Sequence, residues 1–236
     1  MKKIFFILLI TFSSKIYLQA QDQDINLYGT IPSISMQGSI NSYLDYNLNI
    51  DSQINAIEKT YGSSEFPRQV NNINLTAGVG FRYSPNLHLA ASFMFRSTRP
   101  FNDKHEYELR PWQQITISHQ INKYRIRNRF RMEEKWLTHE EKFDLRLRYQ
   151  LSTDFPLAGE KIDVGELYLN LSYELLSTPT RDNFLNYLNQ RPYAGMGMKL
   201  NENNRVEVGP ELRTQIIESG ERRNVWFLRI SWTYLN

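Results

Sequence analysis

The sequence predicts an all-β protein, an antiparallel transmembrane β-barrel of ten strands with twelve as the alternative count. Three observations predict it. A short apolar leader opens the chain, a two-residue alternation of apolar and charged side chains runs from about residue 37 to the end, and most segments carrying that alternation are 11 to 15 residues long.

The leader comes first because it sets the compartment. Lys2 and Lys3 form a basic head, Ile4 to Phe12 an apolar run broken by Ser13, Ser14 and Lys15, and Leu18-Gln19-Ala20 a cleavage point with Gln21 as the new terminus. This is the pattern of a secretory signal peptide. The apolar stretch is about half of the ~20 residues that a helix needs to span a bilayer. No later stretch of the sequence reaches that length, so any membrane contact has to be made by strands. The expected organisation is a signal peptide over 1–20, an N-terminal segment or extra strand over 21–36, and a barrel over 37–236.

The net charge of +3 does not survive processing. Lys2, Lys3 and Lys15 leave with the signal peptide and no acidic residue does, so 25 basic side chains remain against 25 acidic ones. Nucleic-acid binders concentrate excess positive charge, and none is left. With no cysteine in the chain, disulfide frameworks, thiolate metal sites and thiol nucleophiles are excluded.

Alternation at period two marks strands with unlike faces. In KYRIRNRFRMEEKW, Tyr124, Ile126, Phe130, Met132 and Trp136 share one face, and Arg125, Arg127, Arg129, Arg131 and Glu133 the other. In KFDLRLRYQL, Phe143, Leu145, Leu147, Tyr149 and Leu151 oppose Lys142, Asp144, Arg146, Arg148 and Gln150. The same reading places strands near 37–50, 71–83, 86–99, 105–119, 123–135, 140–152, 162–176, 190–200, 204–216 and 224–235. Strands of soluble proteins usually have about 5–6 residues, whereas a tilted membrane strand needs about 9–11. With the carboxyl terminus on the periplasmic side, the short links at 83–86, 119–123 and 200–204 fall together there, and the long links at 51–70 and 177–189 fall outside. Ile25 to Met36 is left ambiguous, since an eleventh strand breaks the even count usual in bacterial barrels. Pro111 inside a strand predicts a nearby bulge, and Trp112 then falls on the polar face unless the register shifts.

The strand ends suggest which face meets lipid. Trp226, Leu228, Ile230, Trp232 and Tyr234 share a face, with aromatic residues at its ends, and Tyr124 and Trp136 repeat the arrangement. Rings with a polar handle favour membrane interfaces, so these five aromatics form the candidate girdle. The opposite faces carry the candidate luminal ion-pair network: Glu106, Glu108 and Arg110 on one strand, Arg125 to Glu133 on the next, and Asp144, Arg146 and Arg148 on the third. Four arginines about 7 Å apart along one face repel one another unless carboxylates stand opposite. Arg127 and Arg129 are therefore expected to pair with Glu106, Glu108 or Asp144 of the flanking strands, plugging the lumen with its own charges.

Several stretches resemble a known family. Glu108-Leu109-Arg110-Pro111-Trp112-Gln113-Gln114, RIRNRFRMEEKW from Arg125, LRLRYQL from Leu145, and NQRPYAGMGMKL with Asn189, Arg191, Tyr193 and Gly195 are similar to the uncharacterised bacterial outer-membrane family catalogued as domain of unknown function 2490. The resemblance spans roughly residues 24–236, with Leu109 and Pro111 departing from the family pattern. It implies an exported outer-membrane barrel and no particular chemistry.

The residues add no catalytic or cofactor motif. His88, His105, His119 and His139 are the four histidines; His119 beside Ser118 points to the opposite face, and His88 lies about 13 Å along the strand from Ser92. No H-E-x-x-H, glycine-rich phosphate loop or calcium loop is present. Gly195 and Gly197 are expected to make room for luminal arginines, and Phe184, Tyr187 and Leu188 in the 183–189 segment to pack over the rim. The reading is a cell outer-membrane barrel of structural or interaction role. Its expected partners are membrane lipid, lipopolysaccharide and the barrel-assembly machinery, with no cofactor, metal or nucleic acid. A narrow channel or small-substrate binder and a lipid-modifying enzyme are the alternatives.

Overall fold

The computed structural model describes residues 25–61, 64–121, 124–138, 142–179, 189–216 and 222–236. The signal-peptide expectation for 1–20, His139 and the aromatics of the 183–188 stretch lie outside them. The strands in chain order are β1 (Ile25–Ser39), β2 (Leu44–Asn55), β3 (Lys59–Tyr61), β4 (Ser64–Phe66), β5 (Val70–Ser84), β6 (Leu87–Thr98) and β7 (Glu106–Ile121). They continue as β8 (Tyr124–Leu137), β9 (Lys142–Pro156), β10 (Leu167–Ser177), β11 (Asn189–Lys199), β12 (Asn204–Ile216) and β13 (Arg222–Leu235). Eleven of them close into one barrel in the order β1-β13-β12-β11-β10-β9-β8-β7-β6-β5-β2, while β3 and β4 form a separate hairpin in the β2–β5 link.

The count is eleven, not ten or twelve. The ambiguous segment at 25–36 is a full strand, and it closes the barrel by pairing in parallel with β13 from Ile25↔Arg223 to Gln37↔Leu235. The even-count argument holds only while every pair is antiparallel. An odd number of alternating strands leaves one parallel pair at the seam, and parallel pairing gives up little per residue. Closure still removes every exposed edge. Since β1 and β13 run together, the chain enters the barrel at the end opposite to Leu235. The end where β13 begins is the upper end below, and the end carrying Leu235 the lower.

Two local expectations also change. No strand runs through 37–50: the chain turns at 40–43, where the Asn41 side-chain oxygen accepts from the amides of Tyr43 and Leu44 at 2.9 and 2.8 Å. That is the turn chemistry of Asn, hidden inside an otherwise alternating stretch. No bulge accompanies Pro111 in the β7–β8 ladder. Leu109↔Trp136 and Trp112↔Glu133 keep one register across it, and β6 pairs straight through at Phe93↔Pro111. Trp112 therefore stays on the luminal face.

Burial is inverted relative to a soluble barrel. On β13 the alternation is strict, with Trp226, Leu228, Ile230, Trp232 and Tyr234 exposed outward and Phe227 buried inward. Leu48, Leu75, Phe93, Ile115 and Phe130 repeat the outward pattern on other strands. The buried set is rich in charge: Glu108, Arg110, Glu133, Glu174 and Glu211.

The parallel seam is open to a direct test, because the chain has no cysteine of its own. Ser33 and Ser231 are register partners, and adjacent strands stand about 4.8 Å apart, within disulfide reach. The double variant Ser33→Cys, Ser231→Cys should cross-link under mild oxidation, whereas Ser33→Cys, Val225→Cys, displaced by about 20 Å along β13, should not. A non-reducing gel reads the difference.

Candidate functional site: the charged interior

The interior is organised around Arg148 of β9. Its Nη1 donates to Glu133 Oε1 at 2.6 Å, while Nε and Nη2 donate to the two oxygens of Glu174 at 3.1 and 2.6 Å. One guanidinium thus ties β8 to β10 across its own strand. Register explains the geometry: Arg148 stands opposite Arg131 and diagonal to Glu133 on β8, and Glu174 stands opposite Gln150, one luminal position along β9. Diagonal neighbours at about 7–8 Å suit long side chains. Planar forks bind carboxylates bidentately, as Arg148 does at Glu174.

Each carboxylate serves several arginines. Glu133, only 1% exposed, also accepts from Arg110 Nη1 at 3.1 Å and Arg131 Nη1 at 3.4 Å. Arg146 stands 3.9 Å from it. Glu174 takes Arg129 Nη2 at 2.8 Å and has Arg191 at 3.8 Å. Arg110 donates Nε to Glu108 at 2.7 Å. A second hub lies on β12, where Glu211 pairs with Arg213 and, at 3.0 Å, with Arg229. Burying such groups is costly unless each is paired and hydrogen-bonded.

The expected partners of Arg127 and Arg129 are corrected. Arg127 pairs with Asp154 at 2.6 Å and Arg129 with Glu174; neither meets Glu106, Glu108 or Asp144. The β7–β8 register sets Glu108 opposite Leu137 and Thr116 opposite Arg129, and the β8–β9 register sets Asp144 opposite Lys135. The three expected carboxylates therefore sit near the upper end, where Glu106 pairs with Arg99 and Asp144 with Lys135 at 3.7 Å. Arg125, at the lower end, donates to the Ser118 hydroxyl at 3.3 Å. Absolute register is the quantity that alternation alone does not carry.

Near the lower end a third cluster forms around Glu207, which accepts from Tyr193 at 2.7 Å, Tyr168 at 3.1 Å and the Asn170 amide at 3.2 Å. Arg229 lies over the Tyr193 ring and Arg205 over the Tyr168 ring, at 4.4 and 5.3 Å. The glycines of β11 make room for these rings, not for arginines: a Cβ on Gly195 meets the Tyr193 phenol, and one on Gly197 the Tyr168 phenol. The luminal face Arg191, Tyr193, Gly195, Gly197 was readable as alternation in β11, but nothing in a single strand says whose ring fills the gap.

Trp112 has a place as well. The Arg131 guanidinium stacks 3.8 Å from its ring centre, with Arg131 Nε and Nη2 donating to Gln114 at 3.1 and 2.8 Å. Trp112 and Arg131 line both an upper chamber of about 640 Å³ and a lower one of about 490 Å³. The stacked pair therefore stands where the two meet.

The histidines make no catalytic constellation among the described residues. His88 Nε2 lies 3.0 Å from Asp45, whose carboxylate also takes Arg82 Nε at 3.0 Å. Ser92 instead packs against Gly78. His105 lies edge-on to Tyr107, ring centres 5.3 Å apart. No three His, Asp or Glu among the described residues converge as a metal site requires.

Of the aromatics set apart by sequence, Trp136 and Trp226 face outward near the upper end, and Trp232 and Tyr234 near the lower. Tyr124, also at the lower end, packs on Phe155 with ring centres 4.9 Å apart.

The hub predicts a ranking of variants. Arg148→Ala leaves both Glu133 and Glu174 short of their main donor and should cost about 3–5 kcal/mol. Arg129→Ala, which leaves Glu174 its bond to Arg148, should cost about 1.5–3 kcal/mol. Arg125→Ala at the lower rim should change stability by about 0.5 kcal/mol or less. Unfolding titrations in detergent, read by heat-modifiable gel mobility, measure all three.

No curated protein and no solved structure matches the chain. A family model does, that of the protein of unknown function DUF2490, over residues 29–224. That range runs from within β1 into β13 and takes in the charged interior, so the chain belongs to the DUF2490 family.

Proposed function

We propose that this DUF2490 protein is an outer-membrane barrel of structural or interaction role, its lumen largely plugged by its own paired charges. The inverted burial carries the reading. Leu48, Leu75, Phe93, Phe130, Leu228 and Ile230 all face outward on strands of one closed sheet, whereas monomeric soluble proteins rarely expose contiguous apolar patches larger than a few hundred Å². In hydrocarbon the same surface is at home. The aromatics at both ends of β13 and β8 suit the two interfaces, and closure leaves no unpaired edge in lipid. Membrane lipid and lipopolysaccharide are then its surroundings, and the barrel-assembly machinery its route of insertion.

The stacked pair supports the plugged lumen. Trp112 and Arg131 stack where the two chambers meet, and the Glu133–Arg148–Glu174 bridge crowds the adjoining wall of β8, β9 and β10. An open pore needs a continuous wet path, and on this reading the stacked pair closes it where the chambers meet. A narrow channel would require the stacked pair to part.

Two measurements test this. The protein should fractionate with outer membranes and resist carbonate and salt extraction; recovery in the soluble periplasm ends the reading. Purified protein in planar bilayers should give no large stable conductance steps, and Trp112→Ala, which takes the ring away from Arg131, should raise conductance if the stacked pair is the barrier. Large steps from the unaltered protein overturn the plug.

A further inference from the structure

The upper chamber has more positive charge than its carboxylates can answer. Eight arginines line it, against Asp51 and Glu133. Counting the carboxylates that touch these arginines from behind adds Glu108, Glu174 and Glu211, giving eight cations to five anions. Arg129 and Arg229 draw on Glu174 and Glu211 too. Asp51 contributes little, as its oxygens accept from the amides of Asn49 and Asn74.

Arg96 and Arg223, also without a carboxylate at hydrogen-bond length, donate to the side-chain oxygens of Asn74 and Gln215, so the shortfall falls on two side chains. Arg146 and Arg191 both line the chamber, and their nearest carboxylates, at 3.9 and 3.8 Å, are beyond hydrogen-bond length. Those carboxylates, Glu133 and Glu174, are already occupied by better-placed arginines. The Arg191 Nε is buried without any partner. A guanidinium carries five donors and no acceptor, so these two side chains hold donors that a ligand with acceptor oxygens can meet.

We propose that the upper chamber is a binding site for a small solute bearing clustered phosphoryl groups, with Arg146 and Arg191 as its principal donors. Phosphate oxygens match the guanidinium fork and arrive with the negative charge that the chamber lacks. About 640 Å³ falls within the range of small-molecule sites and exceeds what one inorganic ion fills. Asn55, Asn189 and Gln215 add amide donors and acceptors near the upper strand ends, suited to the uncharged remainder of such a solute. The strands separate the chamber from the outward face, so a free solute is favoured over a lipid headgroup tethered to its acyl chains. The assignment needs only the lumen and does not depend on the membrane reading.

Isothermal titration of the full-length protein in neutral detergent, with inorganic pyrophosphate as the probe, tests it. Saturable binding is expected, weakened at least tenfold in Arg146→Gln and in Arg191→Gln and unchanged in Lys199→Gln, which removes a charge at the lower turn. Arg191→Lys, which keeps the charge and loses the fork, should bind more weakly than the unaltered protein. Heat-modifiable mobility verifies that each variant is folded, and if Arg191→Gln fails it, Arg146→Gln decides alone. Absence of saturable heat, unchanged affinity in the two glutamine variants, or equal thermal stabilisation by sodium chloride at matched ionic strength overturns the site. Binding to vesicles containing phosphatidic acid with none to pyrophosphate overturns the assignment to a free solute.

Discussion

The structure depends on taking a crowd of arginines out of bulk water without leaving them unpaired. The apolar residues of this chain point outward, so the interior receives the charged faces of the strands, and a barrel this narrow brings them within reach of one another. Arg148 meets the constraint by holding Glu133 with one edge of its guanidinium and Glu174 with another. Those two carboxylates then organise Arg110, Arg131 and Arg129. All of these but the Arg131–Glu133 bond within β8 cross a strand boundary, so the side-chain network reinforces the backbone ladders it depends on. Shared carboxylates also make the network cooperative, since the loss of one member changes the occupancy of the next.

The parallel seam follows from the same need for closure. An open sheet of ten strands would expose two edges, and the Ile25–Ser39 segment removes both by pairing with β2 on one side and β13 on the other. At the upper end this strand also supplies the luminal apolar residues Ile25, Leu27 and Ile31, buried beside a barrel otherwise lined by charge. Phe227 fills the space left by Gly29, where any Cβ would collide with the ring and with a backbone carbonyl of β2. A larger residue at 29 is therefore incompatible with the seam as built.

Much of this was legible in the sequence, and the boundary of legibility has a physical cause. Alternation gave β8 and β9 their faces correctly, because Arg125 to Glu133 and Asp144 to Arg148 have no other consistent arrangement in a strand. It placed Trp112 on the polar face, where it stacks on Arg131. What alternation lacks is phase between strands. The partners of Arg127 and Arg129 depend on the register between neighbouring strands, and a two-residue shift between β7 and β8 exchanges Thr116 for Ser118 opposite Arg129. The turn at Asn41 was hidden because its residues also fit the alternation. Ile25 to Met36 stays ambiguous in the sequence because the parity rule assumes antiparallel pairs throughout, which the β1–β13 pair does not obey.

The imbalance in the upper chamber bears on why the network is not closed. If stability alone shaped the interior, the arginines left over at positions 146 and 191 would be the least expensive to replace, since apolar residues of similar volume often serve as well as buried ion pairs. Two positive side chains kept beside saturated carboxylates instead raise the local potential and repel Arg148 and Arg213. A low-dielectric wall strengthens that field. The balance of terms changes only when an anion enters and supplies the acceptors that the chain does not. The same excess of arginine that weakens the empty interior would then strengthen the occupied one, and ligand binding would add to the stability of the barrel by mass action.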